Sequence, residues 1–194
     1  MAIELSAAPR AKSAETTKQA ILEAAQKRFL QESYENVGLR DIAGDVGVDV
    51  ALISRYFGSK EGLFSQVLHD SSKEEILPED IRSQDMPRYL TDLFLSQDKD
   101  GNENVERLLI ILRSASSPAA SKVVSKAMRN DILVPFAERL GGNNSEMRAS
   151  TSMAVWMGMT IMRTVIAVDG MCGQTPEIEA KLQALFETAL AETP

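Results

Sequence analysis

The sequence predicts an all-α protein with a small N-terminal three-helix unit and a larger helical second domain. Apolar residues recur at the three- and four-residue spacing of amphipathic helices along most of the chain. No run of alternating apolar and polar residues, which is typical of strands, interrupts them. The 194 residues, 44% of them hydrophobic, are enough to bury one large or two small helical cores.

Residues 39–60 predict two short helices joined by a tight turn. Apolar residues recur at helical spacing in both: Leu39, Ile42, Ala43 and Val46, then Leu52, Ile53, Tyr56 and Phe57. Gly47 can adopt the positive φ that ends the first helix, Asp49 can cap the second, and Gly58 ends it. This is the helix-turn-helix pattern, whose second helix enters the major groove of DNA. Helical hairpins are also common in all-α proteins that bind no DNA.

Ahead of this stretch we expect a loose arm over residues 1–13 and a helix over about 14–33. Arg10 and Lys12 of the arm could contact a phosphate or enter a minor groove, and a disordered tail is the alternative. The helix carries an apolar face that includes Ile21 and Phe29. Tyr34 follows it and should fill the core of the small unit.

The order and spacing of these residues resemble the N-terminal DNA-binding domain of the TetR family of bacterial transcriptional repressors. The resemblance covers about residues 14–68 and rests on these segments: Thr17–Ala25, Phe29 to Tyr34, Ile42-Ala43, Gly47-Val48, Arg55–Glu61 and Leu63-Phe64. It implies a homodimeric, ligand-responsive repressor of a palindromic double-stranded DNA operator, in which the fourth helix transmits the ligand signal. The chain departs from the family at Ser33, where glycine is usual, at Gly38, where threonine or serine caps, and at Ser54, where tyrosine or histidine is usual.

The residues expected to contact DNA lie in the two short helices and directly beside them: Gly38, Leu39, Arg40, Val50, Ala51, Leu52, Ser54, Arg55, Tyr56 and Lys60. The first residues of the second helix are small and apolar, so they can touch thymine methyls but cannot bond bidentately to guanine or adenine. Arg40 is therefore the best candidate for reading guanine, with a solvated or ion-paired arginine as the alternative. The Tyr56 hydroxyl can reach phosphate, or the ring can be a plain core aromatic.

A further helix is predicted from Ser59, with Lys60 in its first turn. Free N–H groups and the helix dipole favour an anion there, so Lys60 could contact phosphate; an ordinary solvated lysine is the alternative. The net charge of the chain is −7, and residues 1–69 contribute only −1 of it. Attraction to DNA must therefore come from local placement of Arg40, Arg55 and Lys60 rather than from bulk charge.

The second domain is expected over residues 69–194, with the junction inside the helix near 66–80. Its helices are predicted at about 86–97, 103–116, 118–140, 145–169 and 175–192. The last two should form a four-helix bundle with those of a second copy, whereas burial within one chain is the alternative. The residues predicted for this dimer interface are Met153, Ala154, Gly158, Ile161, Val165, Ile178, Leu182, Leu185, Phe186 and Ala189.

The family resemblance also implies a pocket for a partly apolar small-molecule effector among the middle helices of this domain. The candidates are Phe94, Leu109, Leu112, Arg113, Met128, Phe136, Trp156, Met159 and Arg163. Methionines suit an adaptable pocket but more often simply fill a core. Arg113 and Arg163 could bind a carboxylate or phosphate bidentately, or they could pair with acidic neighbours or extend to solvent.

Other function classes find little support in the sequence. A single cysteine, Cys172, and a single histidine, His69, leave no disulfide framework, zinc site or nucleophile–base pair, so we expect no metal, no cofactor and no enzyme. No signal peptide is evident, and the longest uncharged run, between Arg148 and Arg163, is short for a membrane span, which favours a cytoplasmic protein. The alternatives to a repressor are a helical protein-interaction module and, with least support, a small all-α enzyme.

Overall fold

The computed structural model describes residues 8–70, 77–78, 81–96, 102–168 and 175–192, with side chains from residue 14 onward. Within these ranges the chain forms helices and turns and no strand, which confirms the all-α prediction. The helices are α1 (Ala8–Gln31), α2 (Leu39–Val46), α3 (Val50–Phe57), α4 (Lys60–Asp70), α5 (Met86–Leu95), α6 (Glu103–Ser114), α7 (Pro118–Ala127), α8 (Val134–Leu140), α9 (Ser145–Thr160) and α10 (Pro176–Leu190). No helix in these ranges is long and apolar enough to cross a membrane.

Three short helical segments are also found among the described residues. Ser83–Asp85 forms a 3-10 turn before α5, and two π-helical segments follow α7 and α9, at Met128–Leu133 and Ile161–Val165. The π segments replace parts of the longer α-helices that the sequence predicts over 118–140 and 145–169. The second of them ends shortly before Ala167, which has a positive φ of 55°.

The first helix begins earlier than predicted. It starts at Ala8, inside the stretch that the sequence assigns to a loose arm over 1–13. Pro9 is compatible with this start because a helix leaves its first N–H groups unpaired, so proline loses no hydrogen bond there. Residues 1–7 and the side chains of Arg10 and Lys12 lie outside the described part of the chain, and so does Cys172.

The chain divides into two compact units. The first contains the described residues of Met1–Asp70 together with Leu109–Ser125, and the second contains those of Ser71–Leu108 and Lys126–Pro194. The sequence places residues 109–125 in the second domain, but two hydrogen bonds attach them to the first unit. Arg113 Nη1 donates to the Gln31 carbonyl at 3.2 Å, and Ser117 Oγ donates to Glu35 Oε1 at 2.5 Å.

The core of the first unit is built around three aromatic rings. The Phe29 ring stacks on Tyr34 with a centroid separation of 6.0 Å, and both meet Phe64 edge-on, at 4.8 and 5.1 Å. All three side chains are buried, as expected for Tyr34 from the sequence. The apolar faces of the helices surround them, with these residues fully or almost fully buried: Ile21, Leu22, Ala25, Val37, Ile42, Ala43, Ile53, Leu63, Val67 and Leu68.

The core of the second unit lies between α5, α8, α9 and α10. Helix α10 packs against α5 and α9, and α8 packs against α9. The side chains buried there include Leu90, Phe94, Phe136, Trp156, Leu182 and Phe186. Arg148 is also buried in this unit, beside the loop at residues 141–144. Its Nε and Nη1 donate to the carbonyls of Asn143 and Leu190, both at 3.0 Å, and its Nη2 donates to the Gly141 carbonyl.

The turn between α3 and α4 is tight enough to require a glycine in the first turn of α4. A Cβ atom on Gly62 would lie 2.1 Å from the backbone oxygen of Phe57, far inside contact distance. Gly44 in α2 offers a contrast, because a Cβ atom there would meet nothing within 4 Å. The close approach at Gly62 fixes the C-terminus of α3 against the start of α4.

We therefore expect Gly62→Ala and Gly44→Ala to change stability in opposite directions. The Gly62→Ala methyl must displace backbone, which should lower the free energy of unfolding by about 1–3 kcal/mol. Gly44→Ala should raise it by about 0.5–1 kcal/mol, because alanine loses less conformational freedom in a helix. Urea unfolding followed by circular dichroism measures both. A Gly62→Ala variant as stable as the Gly44→Ala variant would contradict the close approach.

Candidate nucleic-acid interface

The turn between α2 and α3 has the geometry that the sequence predicts. Gly47 adopts a left-handed conformation (φ 74°, ψ 35°), and its N–H bonds back to the last turn of α2. The Asp49 carboxylate accepts a hydrogen bond from the Ala51 N–H at 2.7 Å and so caps α3. Gly58, with a φ of 76°, ends α3. Three residues thus join two short helices, which is the geometry of a helix-turn-helix.

Helix α3 buries one face and leaves the opposite face open. Ile53 is fully buried in the core of the head, defined as residues 14–70 of the first unit. Ala51, Ser54 and Arg55, which share the other face at helical spacing, are exposed. The remaining predicted contact residues of this helix, Val50, Leu52 and Tyr56, are half-buried. The exposed face carries a methyl, a hydroxyl and a guanidinium group, so it can make both apolar and hydrogen-bonding contacts with base edges.

At the start of α2, one predicted contact residue is much more accessible than its neighbours. Arg40 is exposed, whereas Gly38 and Leu39 are half-buried. Gly38 is the N-cap in an extended conformation and provides no side-chain cap. The helix therefore presents an exposed cation close to its N-terminus.

An ion pair that the sequence does not reveal attaches α2 to α1. Arg28 Nε and Nη2 donate to the two carboxylate oxygens of Asp45, at 2.5 and 2.9 Å. This contact raises the pKa of Arg28 and lowers the pKa of Asp45, chiefly through the hydrogen bond between them. Exposed pairs contribute little free energy, but the two-point geometry fixes the orientation of α2. Helical spacing in the sequence gives no sign of this partner, which lies 17 residues away.

The N-terminus of α4 is anchored to the aromatic core of the head. Ser59 Oγ accepts a hydrogen bond from the Gly62 N–H at 3.1 Å, as predicted for a cap. The Lys60 ammonium lies 4.4 Å from the centroid of the Tyr34 ring, a cation–π distance. Burial lowers the pKa of Lys60, although the nearby Glu35 and Glu61 carboxylates act in the opposite direction. Lys60 is therefore a half-buried, positioned cation and not the solvated lysine of the alternative interpretation.

A three-helix head that exposes one helix face behind a glycine turn defines a helix-turn-helix DNA-binding regulator. Residues 21–67 match the family described as bacterial regulatory proteins, tetR family. Residues 84–190, more than half of the chain, match the tetracyclin repressor-like C-terminal domain. The chain belongs to the TetR family of transcriptional regulators, which are DNA-binding proteins and not enzymes.

Solved structures share this fold at low sequence identity. The Salmonella enterica GusR structure is 14% identical with a TM-score of 0.69, over 90% of this chain and 95% of that one. A TetR family transcriptional regulator from Pseudomonas syringae pv. tomato str. DC3000 is 15% identical with a TM-score of 0.57, over 89% and 94% of the two chains. At these identities the likeness concerns the fold alone. No curated protein is similar enough to match the chain.

The predicted pocket residues are divided between the two units. Phe94, Met128, Phe136, Trp156, Met159 and Arg163 belong to the second unit, whereas Leu109, Leu112 and Arg113 belong to the first. Arg113 is exposed and bonds to a backbone carbonyl, which agrees with the alternative that it extends towards solvent. Arg163 is buried, with its guanidinium 5.0 Å from the Phe94 ring centroid. Periodicity identified apolar helices but not the unit that each one packs in.

The predicted dimer residues also divide into two groups. Met153, Leu182 and Phe186 are buried within the core of the protomer, so their assignment to the interface is corrected here. The other predicted residues of α9, its π segment and α10 are exposed or half-buried: Ala154, Gly158, Ile161, Val165, Ile178, Leu185 and Ala189. Met159, Ile178 and Leu182 line a groove of about 540 Å³ on this mostly apolar surface.

The Tyr34 hydroxyl provides a pH-dependent test of the aromatic core. It is buried without a hydrogen-bond partner among the described residues, and burial, together with the Glu61 and Glu35 charges, raises the pKa of Tyr34 to about 12. Above pH 10 the unfolded chain loses this proton while the folded head keeps it. We expect stability to fall between pH 10 and 12, by on the order of 2 kcal/mol from this group.

The variant Tyr34→Phe should remove that part of the alkaline loss, because a phenylalanine ring has no proton to lose. Urea unfolding from pH 8 to pH 12 measures the difference. Tyr56→Phe, which removes a hydroxyl from a half-buried tyrosine of the same unit, is the control and should keep the alkaline loss. Identical pH profiles for Tyr34→Phe and the unmodified chain would contradict the assignment.

Proposed function

We propose that the protein is a ligand-responsive repressor that binds a palindromic operator as a homodimer. The observation that supports this best is the open face of α3, where Ala51, Ser54 and Arg55 point away from the buried Ile53. Recognition helices of helix-turn-helix proteins contact base edges with such a face, and a two-fold dimer places two of them in successive major grooves. A single recognition helix would bind too weakly to define a site.

We propose a DNA contact for each accessible group from the chemistry of its side chain. The methyl of Ala51 suits a thymine methyl, and the exposed Arg40 and Arg55 suit guanine or phosphate. Lys60 and the N-terminus of α4 suit a backbone phosphate. Because residues 1–69 carry a net charge of −1, these few cations must supply the attraction locally.

For the dimer we propose the open apolar surface of α9 and α10. Gly158 has nothing within 4 Å of the place its Cβ would occupy, which leaves room for close helix approach. Val165 and Leu185 expose 47% and 40% of their surface, large fractions for apolar side chains without a covering partner. Packed against the same surface of a second copy, they would be buried in a four-helix bundle across a two-fold axis.

For the effector we propose a site in the second domain, residues 69–194 along the chain, acting on the DNA-binding domain at about 14–68. An effector that binds the non-DNA geometry of the dimer more tightly would shift the population away from the operator-bound state, with α4 carrying the change. Such a regulator would act in the cytoplasm, where the DNA is.

The proposal is tested by binding to a DNA fragment from upstream of the protein's own gene, with scrambled competitor and a salt series. We expect selective binding that weakens as salt rises, because phosphate contacts release counterions. The alternative is a head that contacts proteins instead of DNA, which the net charge of −7 and the small Ser54 would suit. That alternative predicts no selective DNA binding even at low salt. That outcome, repeated with fragments from the whole genome, would overturn the repressor proposal.

Arg40→Ala should weaken operator binding by about 1–3 kcal/mol and relax selectivity at one base pair, because a bidentate contact to guanine is lost. Competition binding against operators changed at each position measures this selectivity. Arg82→Ala, which removes an exposed arginine of the second unit, is the control and should leave the profile unchanged. If Arg40→Ala also leaves every position unchanged, Arg40 does not read a base.

Lys60→Met should weaken binding to all DNA sequences alike and reduce the salt slope by about 1, because one phosphate contact is lost. Methionine keeps an unbranched apolar chain over the Tyr34 ring, so the head should stay folded. Lys122→Met, at an exposed position on α7, is the matched control. An unaltered salt slope for Lys60→Met would count against the phosphate contact.

A further inference from the structure

Among the described residues of the second unit, three arginines are almost fully buried, and two of them have very different surroundings. Arg148 donates hydrogen bonds from all three guanidinium nitrogens to backbone carbonyls, and Glu192 lies 3.8 Å from its Nη2. This is the arrangement of a structural arginine, since every polar atom that leaves water finds a partner. Arg148 therefore provides an internal standard against which the surroundings of the second arginine, Arg107, can be judged.

Arg107 of α6 is 3% exposed but has no comparable set of partners. Its Nη2 lies 3.6 Å from Asp131 Oδ2, which is an ion pair but too long for a hydrogen bond. Its Nε and Nη1 are buried and have no hydrogen-bond partner in the ranges that the structure describes. Burial lowers the pKa of Arg107, and the charge of Asp131 opposes this only in part. A buried cation left in this state is costly unless something else pairs with it.

A second buried donor in the same unit is also unmatched. Trp156 Nε1 has no hydrogen-bond partner among the described residues, although the side chain is 6% exposed. Trp156 belongs to the same buried cluster as Ile132, the neighbour of Asp131. Both unmatched groups are N–H donors. The described residues therefore leave both donors without an acceptor, and an acceptor is what an anionic ligand would provide.

The partner of Arg107 lies on an irregular helix segment. Asp131 is in the π segment Met128–Leu133, and such segments inside α-helices are frequent at functional sites. A guanidinium presents two edges, Nε with Nη2 and Nη1 with Nη2, and each edge can donate two parallel hydrogen bonds to a carboxylate. In Arg107 one nitrogen of each edge is unused. The ion pair with Asp131 engages only Nη2, the nitrogen that the two edges share, at a distance too long for a hydrogen bond.

We propose that Arg107 is the anchor of an anion site and that the effector of this regulator is a carboxylate with an apolar body. The carboxylate accepts hydrogen bonds from one edge of Arg107, and the apolar part packs among the aromatic and aliphatic side chains of the second unit. The inference rests on the proposed function, because it names the chemical class of the ligand that the repressor would sense. The sequence alone offers Arg113 and Arg163 as candidates for such a charged contact, and not Arg107.

The first experiment needs no ligand. We expect Arg107→Met to leave the melting temperature of the protein unchanged or to raise it, because it replaces an unsatisfied charge with an apolar side chain of similar length. Arg148→Met, the matched variant, should lower it by about 5 °C or more, because it breaks a satisfied buried network. If Arg107→Met destabilises the protein as much as Arg148→Met does, Arg107 is a structural residue and the inference is overturned.

The second experiment uses Trp156, the only tryptophan of the chain, as a fluorescent reporter. Octanoate and phenylacetate are titrated beside their uncharged amides, octanamide and phenylacetamide. We expect a carboxylate to change the fluorescence and to bind about tenfold or more tightly than its amide, since a charge-assisted hydrogen bond has no counterpart in the amide. Arg107→Met should abolish this preference. No preference for either carboxylate, or a preference that Arg107→Met retains, would overturn the anion site.

Operator binding by the same protein preparation separates this inference from the proposed function. Selective, salt-dependent DNA binding without any carboxylate preference would overturn the anion site and leave the repressor proposal standing. A carboxylate preference that depends on Arg107, without operator binding, would support the site and overturn the repressor. If both proposals hold, the preferred carboxylate should weaken operator binding by the unmodified chain but not by Arg107→Met.

Discussion

The DNA-binding head depends on the packing of the Phe29, Tyr34 and Phe64 rings. They join the end of α1, the segment after it and the middle of α4, and Lys60 lies over the Tyr34 ring. This contact fixes where α4 begins, and the close approach at Gly62 then fixes where α3 ends. The orientation of the exposed face of α3 thus follows from a buried aromatic contact and a glycine that permits two backbones to meet.

Local chemistry explains why the helix-turn-helix could be predicted so closely from the sequence. Gly47 and the caps Asp49 and Ser59 act on groups within a few residues, so their roles follow from spacing. The ion pair between Arg28 and Asp45 joins residues on different helices, and no local pattern marks it.

The second domain was harder to predict for the same reason. Its helices lie near their predicted positions, but periodicity does not say which face a helix turns towards its own core. Leu182 and Phe186 share a stripe with Leu185, yet the first two are buried in the protomer and Leu185 is exposed. Likewise Arg107 and Arg113 lie on one helix, and only the structure shows that the first is buried and the second is not.

The most direct test of the account is selection of bound fragments from random double-stranded DNA by the full-length protein at moderate salt. A homodimer with two recognition helices predicts enrichment of a two-fold symmetric sequence whose half-sites lie about one helical turn, 34–36 Å, apart or a multiple of it. Enrichment of no sequence, or of a single half-site without symmetry, would contradict the proposal that two copies of α3 read one operator.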